Sequence, residues 1–453
     1  NGERDAFDRG KLRAMTGPQA RRRWLVLGRA CALVVVGVTC APRSRAVGSD
    51  EKVSGGEQHG RLDVTDRQAR IALAGGVTRA ALSATTAWRI DEQGGRQSLV
   101  RGAGGEGWRI EQRNGLLRVG GDGDDATPWR SGPFVARPTA AGFVVYNGKR
   151  YRGELWFSAT DTGVLVVNRL AVEDYLRGVV PLELGTRQIT DRPALEAQAI
   201  AARSYTYVRV PPDGISVPAS GFHMVASVTN QVYGGVDVEH PLVNQAIDGT
   251  AGLVLRYAGR TVDAPYSSSC GGRTATPRDA WRDAREEPYL QSVDDTDAAT
   301  GRPFCDISPR NHWVEELGER QISEAVRRAI ELQGSTQPRA TVVQDLQVSE
   351  RTASGRVGAL VFRTDRGDVT IRARDVRPTL RDARGAILSS TYFSVDRETR
   401  NGGRLTGVTL RGHGNGHGVG MCQWGAIGRA RAGQDARTIL RYYYPGTVVG
   451  FAD

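Results

Sequence analysis

The chain has 453 residues, which is enough for about two or three domains and a sizeable core. A hydrophobic fraction of 39%, with 8 Trp and 13 Tyr, is typical of a folded protein and excludes an intrinsically disordered one. The net charge of +11 forms no basic stripe with interleaved aromatic residues, so we predict no nucleic-acid partner, and attraction to an anionic cell-envelope polymer fits the charge equally well.

Residues 1–46 have the pattern of a targeting segment. Three arginines at 21–23, which loosely resemble a twin-arginine signal, precede a mainly apolar run over 24–41 that is broken by Arg29. The uninterrupted part of this run is too short to span a membrane comfortably. Cys40 closes this run where a lipoprotein cysteine would lie. We therefore expect an exported protein of the periplasm or cell envelope, which meets a membrane only through its signal or a lipid on Cys40. A polar, Gly-rich linker follows over 47–66.

Short apolar stretches separated by Gly-rich turns predict strands after the linker. They lie at 70–73, 108–111, 116–119, 142–146, 155–157 and 164–167. Residues 67–150 therefore form a β-rich N-terminal part, and we place the remaining core at 151–453.

Helical spacing of apolar residues begins after Asn168. It predicts a helix over 171–180, stopped by Pro181, with Val172, Tyr175, Leu176 and Val179 on one side. Further helices are predicted at 193–208, 315–332, 422–432 and 436–443, and further strands at 253–257, 261–265, 344–349 and 359–364. The mixture predicts an α+β fold.

The segment 411–426 carries glycine at every second position from Gly412 to Gly420. If it is extended, His413 and His417 share one face and the other face is bare, so that a strand or a flat sugar ring could approach closely. The two histidines near Cys422 raise the alternative of a zinc site. Glycine at this density makes a helical zinc motif implausible, so we assign no metal ligand and expect His417 to hydrogen-bond to structure or substrate.

Glu183 lies in an apolar surround, which raises the pKa of a carboxyl group and suits a general acid. An exposed glutamate at a helix end is the plainer interpretation. Arg203 is an isolated charge in an Ala-rich helix, so it needs a carboxylate partner. Glu183 and Glu196 are the candidates.

Consecutive hydroxyl groups precede a Gly-Gly turn in the segment 266–274, where they offer donors to a polar ligand. The frame of a serine nucleophile elbow is absent. Without the signal, the cysteines are Cys270, Cys305 and Cys422, which allow three pairings. A reactive Cys270 is one alternative, and we predict a Cys270–Cys305 disulfide.

Taken in order, these segments resemble the stage II sporulation protein D family, also called the SpoIID/LytB or amidase-enhancer family. The resemblance covers about residues 67–448, and its motifs lie at 167–183, 194–205, 231–235, 268–274, 288–290, 417–426 and 442–446. It implies work on peptidoglycan outside the cytoplasmic membrane. Members of the family act as lytic transglycosylases on glycan strands, and some stimulate amidases.

The family's catalytic glutamate corresponds to Glu183, which the resemblance makes the single general acid and base. Many relatives have Ser in place of Cys422 and Tyr in place of Trp424. Some members bind zinc through Cys and His, but the matching set is incomplete in this sequence, so we carry over neither a metal nor another cofactor. The expected partners are glycan strands and an N-acetylmuramoyl-L-alanine amidase, and the alternative is a non-catalytic amidase enhancer. The residues expected to bind substrate are Arg203, Tyr205, Ser268, Ser269, Gly271, Gly272, Arg273, His417 and Gln423.

Overall fold

The computed structural model describes residues 67–452, apart from 96, 122–124, 213–215, 282–283 and 335–341. The predicted targeting segment, its linker and Cys40 lie outside the described residues. Within the described part of the chain, no helix is both long and apolar enough to cross a bilayer.

The N-terminal part of the described chain consists of short strands. They are β1 (Gln68–Val77), β2 (Arg79–Ala84), β3 (Trp88–Glu92), β4 (Ser98–Gly102), β5 (Trp108–Arg113), β6 (Leu116–Gly120), β7 (Phe134–Pro138), β8 (Val144–Tyr146), β9 (Lys149–Tyr151), β10 (Glu154–Thr160) and β11 (Gly163–Ala171). The strands predicted from the apolar stretches are confirmed as β1, β5, β6, β8, β10 and β11.

Helices and short strands alternate in the next part of the chain. They are α1 (Val172–Leu184), α2 (Arg192–Tyr207), β12 (Met224–Val225), α3 (Pro241–Gly249), β13 (Leu253–Tyr257), β14 (Arg260–Thr261), β15 (Tyr266–Ser267) and α4 (Pro277–Ala280). The strand predicted over 261–265 is therefore mostly loop, since β14 ends at Thr261.

The last third of the chain is again mixed. It contains β16 (His312–Gly318), α5 (Glu319–Leu332), β17 (Val343–Arg351), β18 (Val357–Thr364), β19 (Gly367–Arg372), α6 (Ala373–Thr379), β20 (Phe393–Asn401), β21 (Arg404–His413), β22 (Met421–Cys422), α7 (Gln423–Arg431), α8 (Ala436–Tyr443) and β23 (Val448–Phe451). The predicted α+β class is confirmed, with more strand than helix.

Two sheets dominate the N-terminal part. One has the order β12-β1-β11-β10-β7-β3-β4 and the other the order β6-β5-β2-β8-β9. Alternation along β2 buries Ala80, Leu82 and Ala84 while Arg79 and Ala81 stay exposed, as expected for a strand with one solvated face. Side chains of both sheets join one large apolar core, which extends to α1, α2, α3, α7 and α8.

Helix α1 buries the predicted stripe, and Val172, Tyr175, Leu176 and Val179 are at most 1% exposed. Pro181 does not end this helix, contrary to the prediction. The proline ring removes one N–H only, and the helix continues past it to the buried Leu184. It ends at Gly185, whose φ of 81° is in the left-handed region. Glu183 therefore lies in the last turn of α1.

A second core belongs to α5, α6 and strands β16–β21, and it includes Leu317, Phe362 and Leu410. The helix predicted over 315–332 begins only at Glu319, because β16 pairs with β21 over His312–Gly318. We call the segment 312–413 the inserted lobe, since it separates β15 from its partner strand β22.

Candidate functional site

The glycine-rich segment between β21 and β22 is not extended, so the condition for a strand with one bare face is not met. Gly414, Gly416, Gly418 and Gly420 have φ of 75°, 110°, 81° and 71°, and left-handed backbone breaks the alternation of faces. The close approach that these glycines permit is real. A Cβ atom on Gly420 would lie 2.0 Å from the carbonyl oxygen of Pro265.

This close approach joins two of the segments singled out in the sequence. Strands β15 and β22 run parallel, with Tyr266 beside Met421 and Ser267 beside Cys422. The N–H of Trp424 donates to the carbonyl oxygen of Ser268 at 3.0 Å. The hydroxyl-rich loop and the start of α7 are therefore held side by side.

Glu183 reaches this junction from the end of α1. The N–H of Val232 donates to its Oε1 at 2.9 Å, and Nε2 of Gln423 donates to its Oε2 at 3.4 Å. Burial raises the pKa of the Glu183 carboxyl, while these two hydrogen bonds oppose the shift. Within the described residues, Glu183 forms no ion pair. The raised pKa expected from the sequence is therefore confirmed.

Two tyrosines lie close to this carboxyl. The pKa values of Tyr175 and Tyr266 are raised well above their ordinary value by burial, and the charge of Glu183 adds to both shifts. The amide of Gln231 donates to the hydroxyl oxygen of Tyr266 at 2.9 Å. Sequence analysis missed these neighbours. Gln231 lies in a segment that carried the family resemblance, which was the available signal.

The imidazole of His417 also lies at this junction, where hydrogen bonds hold it and where it is neutral. Its Nδ1 accepts from the N–H of Val419 at 3.1 Å, and the ring also hydrogen-bonds to the backbone of Tyr266. Burial, together with the charges of Arg377 and Arg356, lowers the pKa of His417 to about 4. This imidazole is therefore uncharged near neutral pH.

His413 is placed elsewhere. Its Nδ1 lies 3.1 Å from Nδ1 of His312, on the exposed pairing of β16 with β21. His413 and His417 therefore do not converge on Cys422, and the zinc alternative built on those three residues does not hold.

Arg203 does not line the site, which corrects its assignment to substrate binding. Its side chain is 0% exposed and donates to both carboxylate oxygens of Glu173 at 2.7 Å. The predicted carboxylate partner exists, but it is neither Glu183 nor Glu196, which pairs with Arg192 at 2.9 Å. A buried guanidinium that is satisfied in this way connects α2 to α1 and is not available to a ligand.

Of the other residues predicted to bind substrate, some bond to the protein itself and others remain partly open to solvent. The hydroxyl of Ser269 is buried and donates to Asn311 at 2.6 Å, and Arg273 pairs with Asp294 at 3.1 Å on the surface. Ser268 and Tyr205 stay partly exposed, and the ring of Tyr205 lies 6.5 Å from that of Tyr266.

Gly271 and Gly272 form the predicted turn with φ of 78° and 101°. A Cβ atom on Gly271 would lie 3.0 Å from Cβ of His413. The turn therefore packs closely against the glycine-rich segment.

The predicted Cys270–Cys305 disulfide is not formed, and Cys270, Cys305 and Cys422 are all free and buried. The Sγ atoms of Cys270 and Cys305 are 3.8 Å apart, whereas a disulfide bond measures about 2.05 Å. The third cysteine and Asp295 lie in the same cluster, with ligand atoms within 4.8 Å of one another. No local motif predicted this grouping, because its members are far apart in the sequence.

Comparison with known proteins identifies the family of this chain. A family model described as stage II sporulation protein (SpoIID) matches residues 160–257, which hold α1, α2 and Glu183. An uncharacterised protein of Brachyspira hyodysenteriae is 32% identical over 311 residues, covering 68% of this chain and 74% of that protein. The chain belongs to the SpoIID family.

Two named relatives give further coverage of the SpoIID region. Stage II sporulation protein D of Bacillus subtilis is 29% identical, covering 63% of this chain and 76% of that protein. The amidase enhancer of Bacillus subtilis is 28% identical over 60% of this chain, which spans 40% of the enhancer's length. A second family model, described as a domain of unknown function, matches residues 306–420. Its bounds nearly coincide with the inserted lobe.

Proposed function

We propose that this SpoIID protein is a peptidoglycan lytic transglycosylase in which Glu183 is the single general acid and base. The observation that carries the proposal is the raised pKa of a partly buried carboxyl group that meets two neutral donors and forms no ion pair within the described chain. Such a group holds its proton toward neutral pH, which a general acid requires.

The proposed reaction needs one carboxyl group. Protonated Glu183 gives its proton to the glycosidic oxygen while the bond from C1 to that oxygen breaks. The resulting carboxylate takes a proton from the C6 hydroxyl of the same muramic acid, whose oxygen then bonds to C1 and closes an anhydro ring. No water is consumed, so the second carboxylate that ordinary glycosidases place about 5–10 Å away is not required.

Other residues of the site would serve binding. Gln423 orients the carboxylate, and the exposed parts of Ser268, Tyr205 and Trp424 offer hydroxyl groups and an aromatic face to sugar. Arg203 and Ser269 are left out of this role, because their polar atoms are used in the scaffold.

The decisive variant is Glu183→Gln, which keeps the shape of the side chain and removes its acid. We expect the release of anhydro-ended fragments from purified sacculi to fall by about 10²-fold or more. Glu196→Gln is the matched control, since it removes a carboxylate that is paired at the surface, and it should cleave as the wild type does. Anhydro products released equally by the Glu183 variant would refute the assignment.

The relative named amidase enhancer favours a second candidate, a protein that presents glycan to an amidase without cleaving it. In that case Glu183→Gln would stimulate an N-acetylmuramoyl-L-alanine amidase as strongly as the wild type does. The amidase rate measured with each variant separates the two functions.

Either function places the protein at the cell wall. Residues 1–46 would then direct export, with a lipid on Cys40 as the alternative anchor. We further propose that the β-rich part, 67–150, supports a peptidoglycan-acting core at 151–453.

A further inference from the structure

Four potential metal ligands meet in the core beside the site, and the mechanism uses none of them. They are Cys270, Asp295, Cys305 and Cys422, each 0% exposed. They come from the loop after β15, from a loop near Asp294, from a 3-10 turn at Phe304–Ile307 and from the junction of β22 with α7. Burying three thiols and a carboxyl group from four segments at one position away from water costs free energy unless an interaction there compensates for the lost hydration.

Two of the distances within this set match the edges of a tetrahedral metal site, and all four ligand atoms lie within 4.8 Å of one another. Zinc bonds to sulfur at about 2.3 Å, which places two thiolates of a tetrahedron about 3.8 Å apart. The Sγ atoms of Cys270 and Cys305 are separated by 3.8 Å. A mixed sulfur–oxygen edge is shorter, about 3.5 Å. Sγ of Cys270 lies 3.3 Å from Oδ2 of Asp295.

The surroundings of the cluster orient its members as ligands. Oδ1 of Asp295 accepts from the hydroxyl of Tyr443 at 2.7 Å and from Nε of Arg429 at 3.1 Å, which leaves Oδ2 facing the sulfur atoms. The N–H groups of Cys270 and Gly425 donate to Sγ of Cys422 at 3.1 and 3.2 Å. Hydrogen bonds of this kind hold metal ligands in place.

The charges also balance around a divalent cation. Three thiolates, one carboxylate and one divalent ion sum to a charge of −2. Two buried guanidinium groups face the set: Arg429 lies 3.0 Å from Asp295, and Arg356 donates to the carbonyl oxygen of Cys270 at 2.7 Å. Both arginines are at most 3% exposed, so the metal-bound cluster with its two arginines is neutral.

We propose that Cys270, Asp295, Cys305 and Cys422 bind one zinc ion as a structural site. Three thiolates and a carboxylate select a soft or borderline cation in tetrahedral geometry, and four protein ligands leave no open position for catalysis. The ion joins the loop after β15 to the start of α7. Because Gln423 follows Cys422 and donates to Glu183, zinc also fixes the donor that orients the carboxyl group. This last consequence rests on the proposed function, whereas zinc binding does not.

The test is the metal content of the full chain, purified without chelator, loaded with zinc and dialysed. We expect about one zinc per chain, falling to less than about a tenth in Cys305→Ser and Asp295→Asn. Asp294→Asn is the matched control, because its carboxylate is exposed and pairs with Arg273 outside the cluster. It should retain zinc. Wild-type protein that holds no zinc overturns the proposal.

Wild-type measurements keep the test valid if the variants fail to fold. Cobalt in place of zinc should show the absorption of a tetrahedral ion with thiolate ligands. The same three cysteines should resist alkylation until a chelator is added. Peptide mapping without reduction that recovers a Cys270–Cys305 disulfide would contradict zinc binding. Glycan cleavage is measured separately, so an inactive protein that holds zinc would contradict the proposed function alone.

Discussion

At the scale of single residues, Glu173 and Glu183 show how one helix gives two carboxylates opposite roles. Glu173 accepts two hydrogen bonds from Arg203, and its charge is matched by that buried cation. Glu183, at the other end of α1, meets only a backbone N–H and an amide among the residues that the structure describes. A carboxylate without a cation is costly in a partly dry site, so its neutral form is favoured. This difference makes Glu183 the candidate acid.

The raised pKa of Glu183 predicts a pH-dependent cost in stability. The folded state holds this proton more tightly than the unfolded state, so the free energy of unfolding falls as the pH rises from the ordinary pKa of 4.5 through the raised one. Glu183→Gln cannot ionise. We expect it to melt at a higher temperature than the wild type at pH 7, with a smaller difference at pH 4.

Glu196→Gln serves as the reference for this comparison, because its carboxylate is paired with Arg192 at the surface. It should show no such gain at pH 7. A Glu183→Gln variant whose advantage is the same at both pH values would count against the raised pKa.

At the scale of elements, the parallel pair β15–β22 holds the site together. Each strand of this pair has two residues. The two strands can approach each other closely because the segment before β22 is rich in glycine. Gly420 has a φ of 71° and faces the carbonyl oxygen of Pro265. A side chain would therefore meet both an unfavourable backbone conformation and a steric clash.

Gly420→Ala should lower the free energy of unfolding by several kcal/mol and reduce glycan cleavage. Gly433→Ala is the matched control, because Gly433 has a φ of 85° and no atom within 4 Å of the added Cβ. It should cost only the backbone term of about 1–2 kcal/mol and leave cleavage unchanged. Denaturant unfolding midpoints give both values, and equal losses would show that the clash is unimportant.

At the scale of the whole molecule, the two largest of the three apolar clusters in the described chain belong to different parts of the sequence. The larger core joins the N-terminal sheets to α1, which carries Glu183, and the smaller core lies within the inserted lobe. The two ends of the lobe lie side by side, since the pairing of β16 with β21 places His312 opposite His413. Because the two cores are separate, each part of the chain can unfold locally while the other stays folded.

Phe362→Ala should therefore act within the inserted lobe. Phe362 is 0% exposed in the smaller core, and its truncation should cost about 3–5 kcal/mol. We expect amide hydrogen exchange to speed up in β17–β19 while β10 and β11 keep their protection. Phe157→Ala in the larger core should do the reverse. Equal loss of protection in both regions after either change would indicate one cooperative unit.

The local patterns predicted much of the fold. The strands before Asn168 and the helices α1, α2, α7 and α8 follow from apolar spacing, because burial of one face dominates their formation. Two helix boundaries were wrong: Pro181 lies inside α1, and β16 takes the first residues of the helix predicted over 315–332. Both depend on packing against distant segments, which no local pattern contains.

The sequence by itself determined the α+β class, the SpoIID motifs and the choice of Glu183 as a carboxyl group in apolar surroundings. Only the tertiary structure decided which distant residues face that group, and it assigned Arg203 to Glu173 in the core. It also brought Asp295 next to Cys270, Cys305 and Cys422, three cysteines that the sequence analysis had divided into a disulfide pair and a free thiol. The physical reason is that spacing along the chain records which face is buried, whereas hydrogen bonds and metal ligation depend on atoms brought within a few ångströms by the folding of remote segments.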